Sequence, residues 1–214
     1  MLAARSLKML WFVAGGLMVT LPACASVIPP GGTDLSYQGE TYSWCYLTSP
    51  PKCFTNGMLT ISPPVVVSLS GGNQVDQFAA QLNVLYGGLP GGSGAPLTLT
   101  GVGTVTIFGD NPAGPGTFST EMTQLDLSGG GIMLRESPTL VSAGQTTVGT
   151  DGFLIGSFFD IFTELSLDGG ATWGPAAQNG DPSHPVDFNL APEPATMLLV
   201  GGALMLASLK LRKR

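Results

Sequence analysis

The feature that most constrains this fold is an alternation of apolar and polar residues with a period of two. The stretch FFDIFTELSLD, residues 158–168, shows it most clearly. One register holds Phe159, Ile161, Leu165 and Leu167 together with Thr163, and the other holds Asp160, Glu164, Ser166 and Asp168. Successive side chains of a β-strand point to opposite faces, so this pattern predicts a half-buried strand.

Shorter segments of the same kind recur along the chain and are separated by turn-forming residues. The turn clusters include GGLPGGSGAP at 87–96 and GDNPAGPG at 109–116. Many short strands with such punctuation predict an all-β, mostly antiparallel sandwich or irregular barrel. The other predicted strands are Val65–Leu69, Leu97–Phe108, Phe118–Leu127, Ile132–Arg135, Thr146–Val148 and Val186–Leu190, and Phe78–Leu85 is either a short helix or another strand.

Charge is distributed very unevenly along the 214 residues. Six of the eight basic residues lie in the first eight or the last five positions, and all fourteen acidic residues lie between Asp34 and Glu193. Residues 26–194 therefore hold two basic and fourteen acidic side chains, a formal charge of −12. Such a body repels phosphate backbones, which argues against nucleic-acid binding.

The N-terminus has the three parts of a secretory signal peptide. Arg5 and Lys8 form a cationic region, Met9 to Leu21 is an apolar core, and Ala23 and Ala25 are small residues at the positions read for cleavage. Residues 1–25 are therefore predicted to be removed, leaving Ser26 first. An alternative is that Leu21-Pro22-Ala23-Cys24 is a lipoprotein signal and Cys24 is acylated, although Pro22 fits that pattern poorly.

The C-terminal segment 190–214 resembles a membrane anchor. Ala195 to Leu209 is uncharged and mostly apolar, and four basic residues follow at Lys210, Arg212, Lys213 and Arg214. Fifteen helical residues span roughly 22 Å, and snorkelling basic side chains allow a short span. We expect a transmembrane helix over 195–211 with the basic tail 210–214 in the cytoplasm, which leaves the domain at 26–189 outside.

This C-terminal arrangement resembles the PEP-CTERM sorting signal. Pro192-Glu193-Pro194, an apolar span and a basic tail occur in the order of that family, with a signal peptide at the other end. The resemblance implies export across the inner membrane of a Gram-negative bacterium, temporary anchoring, and processing by exosortase near the Pro-Glu-Pro motif. It also implies a final place at the cell surface or in the extracellular matrix, in the context of exopolysaccharide and biofilm.

Cys45 and Cys53 remain as a pair once Cys24 has left or been lipidated. An even pair in an oxidising compartment predicts a disulfide, with Pro50-Pro51 turning the loop between the cysteines. Zinc is the rival for paired cysteines, but His184 is the only histidine and there is no second cysteine pair.

One short motif resembles a known turn. Ser166, Asp168, Gly170, Thr172 and Trp173 fit the Asp-box pattern S-x-D-x-G-x-T-W. The resemblance implies a β-hairpin in which the Asp side chain accepts hydrogen bonds from turn backbone and the Trp packs beneath. Residues 134–173 as a whole also look like a segment that recurs in uncharacterised proteins with the same sorting tail. We expect the hairpin to be structural, since Asp and Gly favour tight turns.

The residues that could support an activity are few. A sialidase needs an arginine cluster, and the body has Arg135 with Lys52 only. A glycosidase needs two suitably placed carboxylates, for which Asp151, Asp160, Glu164 and Asp168 are candidates. His184 lies between Pro182 and Pro185 without a serine-elbow motif, so Ser/His/Asp catalysis has no support. We expect no enzyme and no cofactor. Calcium bound near Asp110, Asp151 or Asp168 is a weaker alternative.

The sequence therefore predicts a non-enzymatic, exported structural or matrix protein. Its expected partners are signal peptidase and exosortase as processing enzymes, the membrane, and exopolysaccharide. The alternative is a glycan-binding module, because Tyr42, Trp44 and Tyr46 share one face of a strand and would stack on sugars if exposed. Tyr37 and Trp173 could add to that surface, although core packing is expected for Trp173. A glycoside-acting enzyme is a third alternative with less support.

Overall fold

The regular structure is entirely β-strand in the residues described by the computed structural model, which are 34–39, 43–88, 94–109, 114–150, 154–177, 181 and 184–191. The predicted all-β class is confirmed, and every ladder is antiparallel. The strands are β1 (Leu35–Gly39), β2 (Trp44–Tyr46), β3 (Lys52–Ile61), β4 (Val65–Ser70), β5 (Asn73–Gly87), β6 (Ala95–Ile107), β7 (Gly116–Gly129), β8 (Ile132–Glu136), β9 (Ser142–Val148), β10 (Leu154–Ile161), β11 (Thr163–Ser166), β12 (Gly174–Ala177) and β13 (Val186–Leu190).

Four long strands, in the order β3-β5-β6-β7, form the centre of the sheet. The outer edge of β3 is shared between β2, opposite residues 52–54, and β1, opposite residues 58–61. The outer edge of β7 is likewise shared between β9, opposite residues 116–122, and β8, opposite residues 126–129.

Two further series of strands join these outer edges. One runs β1-β13-β10-β9 and the other runs β2-β12-β11-β8. Two routes of strand pairing therefore connect β3 to β7, in addition to the direct route through β5 and β6. Buried apolar residues from both series, such as Phe188 and Leu165, belong to the same core cluster as Leu82 of β5.

The core follows the period-two pattern strand by strand. On β5 the alternate residues Phe78, Ala80, Leu82 and Val84 are buried, while Gln77, Ala79 and Gln81 between them are exposed. Phe78–Leu85 is therefore a strand, which resolves the helix-or-strand alternative. The buried cluster contains seven large aromatic residues, namely Tyr37, Trp44, Tyr46, Phe54, Phe78, Phe159 and Phe188.

The predicted continuous strand over 158–168 is wrong in one respect, because it is broken at Phe162. The Phe162 N–H donates to Ser142 Oγ and the Phe162 carbonyl accepts from the Ser137 N–H. At this residue the chain leaves β9 and β13, which flank β10, and takes β8 and β12 as its neighbours in β11. Ser166, expected on the polar face, is buried because it belongs to the hairpin that follows.

β4 forms one free edge of the sheet. It pairs with β5 through a two-residue turn at Gly71 (φ 60°) and Gly72 (φ 84°), where positive φ favours glycine. No other strand in the described part of the chain pairs with β4. The side chains of Val65, Val67 and Leu69 are 65%, 54% and 52% exposed.

The first and last described strands lie side by side. In the β1–β13 ladder Tyr37 faces Leu190, and the Ala191 N–H donates to the Ser36 carbonyl at 2.8 Å. Residues 192–194, the predicted anchor 195–211 with its tail, and the predicted signal peptide 1–25 lie outside the described residues. None of the described residues forms a helix long and apolar enough to cross a bilayer.

Candidate functional site

The turn between β11 and β12 is held together by the side chains of the Asp-box pattern. Asp168 Oδ1 accepts the Thr172 N–H at 2.8 Å, and Asp168 Oδ2 accepts the Thr172 hydroxyl at 2.6 Å. The Ser166 hydroxyl donates to Asp168 Oδ1 and accepts the Gly170 N–H, both at 2.8 Å. Short polar side chains thus satisfy the backbone of a turn with little regular pairing of its own.

Trp173 closes the hairpin from one side, but it does not join the core. Its indole N–H donates to the Gly170 carbonyl at 3.0 Å, and the Arg135 guanidinium lies 4.0 Å from the ring centroid. The core packing expected for Trp173 is therefore corrected, since the partly buried ring is covered by a cation instead. A guanidinium over an indole face is a cation–π contact.

Arg135 links the hairpin to the neighbouring strands. It faces Glu164 directly across the β8–β11 ladder and donates to Glu164 Oε2 from Nε at 2.9 Å and from Nη2 at 2.7 Å. The Ser137 hydroxyl donates to the other carboxylate oxygen at 3.2 Å. The single arginine of the body is thus engaged on one side by Glu164 and on the other by Trp173.

The hydrogen bonds around Asp168 lower the pKa of its carboxyl group. The Thr172 hydroxyl, the Thr172 N–H and the Ser166 hydroxyl together hold the pKa of this carboxyl at about 2, below the ordinary 3.8. Each of these donors favours the ionised form. A glycosidase general acid needs the opposite shift, so the Asp168 carboxyl is suited to holding the turn rather than to giving a proton.

The other candidate catalytic residues are also occupied locally. Glu164 is paired with Arg135, and His184 Nδ1 lies 2.8 Å from the carbonyl of its neighbour Pro185. Asp160 sits on β10 opposite Ala143 and Asp187 and has interaction partners. Asp151 and Asp110 lie outside the described residues. The structure therefore brings Glu164 near the hairpin but joins it to a cation rather than to a second carboxylate.

The aromatic face predicted for sugar stacking is turned inward. Trp44 and Tyr46 are only 3% and 0% exposed, and both rings make edge-on contacts with Phe54. The Trp44 indole N–H donates to Tyr46 Oη at 3.0 Å, and that oxygen lies 3.0 Å from Thr163 Oγ1. Tyr37 is buried as well. The exposed face on which glycan stacking was conditional is therefore absent at these described residues, and Tyr42 lies outside the described part.

Cys45 and Cys53 are joined by a disulfide. They face each other in the β2–β3 ladder, next to the facing pair Trp44 and Phe54. The bond fastens the short strand β2 to β3 at the place where the buried aromatic residues meet.

A second polar cluster lies inside the sheet and was not predicted from the sequence. Gln74 and Asp76 are fully buried on the inner face of β5, and the Gln74 amide donates to both carboxylate oxygens at 2.8 and 3.0 Å. Burial raises the pKa of Asp76 and the Gln74 bond opposes that shift. The signal was present, since both residues share the register of Phe78 and Leu82.

This cluster borders a cavity of about 20 Å³, comparable to the space of one water molecule. The Thr120 hydroxyl lines the cavity and is the buried side-chain group that has no hydrogen-bond partner in the described residues. Most of the remaining lining is apolar, including Tyr37, Phe78 and Phe159. The geometry is that of a small internal packing gap beside a buried carboxylate.

No set of three or more His, Cys, Asp or Glu side chains in the described ranges is arranged to hold a metal ion. Of the three aspartates proposed for calcium, Asp168 is in these ranges and spends both carboxylate oxygens on Thr172 and Ser166.

The predicted sorting residues Pro192, Glu193 and Pro194 and the cleavage residues Ala23 and Ala25 lie outside the described part of the chain. No protein-family model, curated protein or solved structure matches this sequence. The functional assignment consequently depends on the residues of this chain alone.

Proposed function

We propose that this chain is an exported cell-surface or extracellular-matrix protein that is processed by exosortase near Pro192-Glu193-Pro194. It crosses the inner membrane of a Gram-negative bacterium, is held by the apolar segment at 195–211, and is then released or attached at the surface. The observation that carries the proposal is the order of Pro-Glu-Pro, apolar segment and basic tail at 192–214, with a signal-peptide pattern at 1–25.

The position of the motif next to the β-domain supports this proposal. The last described hydrogen bond of the sheet is donated by Ala191, one residue before Pro192. A protease that cuts at or after the motif would leave all described strands intact. The motif also lies on the anchor side of that last bond, as a processing site for release of a folded domain requires.

We further propose that the released domain has a structural role and is not an enzyme. The polar side chains of the Asp-box hairpin are bonded to one another, and the adjacent arginine is bonded to Glu164 and stacked on Trp173. The pairing that returns to the central strands by two routes fits a β-sandwich or irregular barrel enclosing one core. Such a domain gives a matrix protein a durable, disulfide-fastened body.

The glycan-binding alternative loses its main support. It relied on an exposed aromatic face, and Trp44 and Tyr46 lie in the core instead. Trp173 keeps a partly exposed ring, but Arg135 covers one of its faces. Stacking on a sugar requires an open aromatic face, so we prefer the structural role.

The test is the intact mass of the protein purified from its native host, with and without the candidate exosortase gene. We expect a chain that starts at Ser26 and stops near residue 194 only when the enzyme is present. Added mass on the new C-terminus would identify covalent attachment to a surface glycan or lipid. A Pro192→Ala/Pro194→Ala variant should keep its C-terminal segment even with the enzyme present.

A chain that runs through Arg214 in both strains would refute processing and leave 195–211 as an ordinary anchor. Removal of the C-terminal segment in the strain without the enzyme would assign the cut to another protease. Either result would separate the β-domain from the sorting interpretation.

A further inference from the structure

The free edge strand β4 lies at the end of the sheet from which the C-terminal segment leaves. β13 and β3 are both antiparallel to β1, so they run in the same direction. β3 and β4 are both antiparallel to β5, so β4 continues in that direction after β3 ends. β13, which ends one residue before Ala191, and β4 therefore run toward the same side of the domain.

The register shows how far each of them reaches. Leu190 faces Tyr37, which in turn faces Leu59. Leu59 faces Leu82 of β5 and Ser70 faces Asn73, so β4 reaches nine β5 residues beyond the level of Leu59, whereas Leu190 is five residues before the apolar segment at Ala195. At about 3.3–3.6 Å per residue these lengths are roughly 30 Å and at most about 18 Å.

A tether this short cannot keep β4 clear of the surface in which the segment is held. The overhang is about 12 Å along the strand, and a strand tilt of about 45° still leaves roughly 8 Å. The headgroup layer on each side of a bilayer is of the order of 5–8 Å thick. An anchored domain that continues the direction of β13 therefore presses β4 against that layer.

The composition of β4 suits contact with lipid. Val65, Val67 and Leu69 are exposed, and no charged residue occurs between Lys52 and Asp76. The body as a whole carries a formal charge of −12, so an uncharged stretch of this length is unusual for it. Phe108, at the end of β6 that pairs with the same part of β5, is also exposed.

We propose that β4 is a membrane-contacting edge, with Val65, Val67 and Leu69 lying in the headgroup region of the bilayer that holds residues 195–211. This inference rests on the proposed anchoring. It orients the domain with the β11–β12 hairpin away from the membrane, since that hairpin projects from the end of the sheet where β5 finishes at Gly87.

Two other occupants of this edge compete with lipid. A second copy of the chain could pair with β4. The segment before β1 could also lie along it, but a continued β1 register would place Pro29 and Pro30 opposite Val67 and Val66, and proline has no N–H to donate. Lipid requires neither strand pairing nor a partner of opposite charge, so we favour it.

The experiment uses residues 26–214 reconstituted in phosphatidylcholine vesicles. Cys45 and Cys53 are joined, so a single added cysteine can be labelled with an environment-sensitive dye such as NBD. The variants are Val67→Cys and Leu69→Cys on β4, with Ala171→Cys in the exposed hairpin as the matched control. Vesicles with brominated acyl chains quench a dye that reaches the lipid.

We expect blue-shifted emission at positions 67 and 69 and severalfold stronger quenching by brominated lipid than at position 171. Water-like emission at 67 and 69, in protein that floats with the vesicles, would overturn the inference while leaving the anchoring intact. A blue shift without bromine quenching would overturn it too and assign the edge to protein, either a second copy or the N-terminal segment. Protein that does not float would refute the anchoring itself.

Discussion

Single side chains in this protein mostly serve to complete the hydrogen bonds of neighbouring backbone and side chains. Ser166 and Asp168 support the hairpin, Ser142 and Ser137 bond at the break around Phe162, and Tyr46 connects β2 to β11. Each of these groups lies at or near the end of a strand, and all but Tyr46 have short side chains. A buried or strained backbone group left unpaired costs more than a typical bond contributes, so these positions should respond strongly to substitution.

Replacing Asp168 by Asn should destabilise the hairpin in a pH-dependent way. The folded-state pKa of about 2 is below the ordinary 3.8, so ionised Asp168 contributes stability above about pH 4. That contribution should disappear as the pH falls from about 4 through 2. The measurement is the melting temperature of the protein minus that of Asp168→Asn across this range. Asp34→Asn, an exposed aspartate outside the hairpin, is the control, and a difference independent of pH would contradict the assignment.

Removing the Tyr46 hydroxyl should cost more than its size suggests. Tyr46→Phe leaves the Trp44 indole N–H and the Thr163 hydroxyl without this buried partner. Leaving buried polar groups unpaired typically costs about 1–3 kcal/mol, which is the expected loss in free energy of unfolding. Denaturant unfolding measures it. Tyr86→Phe serves as the control because its ring is only partly buried and outside this network, and equal effects of the two variants would count against the explanation.

What the sequence reveals at this scale is which residues share a face, and not which face is inside. Trp44 and Tyr46 share one face as their spacing predicts, but alternation alone does not show that this face is the core. The Asp-box residues were identified because turn chemistry is local, so Ser166, Asp168 and Thr172 find each other within seven residues. The Gln74–Asp76 pair was missed although its register already placed it beside Phe78.

At the level of elements, the strands follow the alternation closely and differ from it mainly in length. All six segments predicted with firm bounds overlap strands, and most of those strands are longer than expected. The helix-or-strand ambiguity at Phe78–Leu85 arose because a short apolar run fits both periods. In the structure this segment belongs to β5 and pairs with β3 on one side and β6 on the other. The sequence of eight residues does not contain the information on these partners.

The disulfide should contribute to stability by restricting the unfolded chain. Cys45 and Cys53 are eight residues apart, for which the loop-entropy relation gives about 2.5 kcal/mol. A Cys45→Ala/Cys53→Ala variant should lose about that much in free energy of unfolding, measured with denaturant under oxidising conditions. The reduced parent protein is the control and should match the variant. An unchanged unfolding midpoint would mean that β2 is held by its aromatic contacts alone.

At the scale of the whole molecule, the sheet depends on pairing between residues far apart in sequence. β13 lies between β1 and β10, and β7 is shared by β6, β8 and β9. No local pattern specifies these partners, because register between distant segments is set by the shape of the assembled core. This is why the class was predictable while the two routes of pairing were not.

Phe188 tests the packing between strands that are far apart in sequence. It is 2% exposed on β13 and contacts Trp44 edge-on with the ring centroids 6.3 Å apart. Phe188→Ala should cost about 3–5 kcal/mol, a large share of the 5–15 kcal/mol that stabilises a typical domain. Denaturant unfolding and protease resistance measure the loss. Asn189→Ala, at the exposed neighbour on the same strand, is the control. Similar losses in the two variants would show that Phe188 does not hold β13 against the core.

Because β1 pairs with β13, the order in which the chain is made affects when the sheet can be completed. A ribosome delivers β1 near the start and β13 near the end, so the side of β1 that receives β13 must wait for almost the whole chain. A chain that stops before Val186 lacks β13, so the edges of β1 and β10 that pair with β13 stay unpaired and accessible to proteases. The sheet is therefore complete only once the chain through Leu190 is present, and a copy that stops earlier keeps unpaired edges on β1 and β10 that promote aggregation.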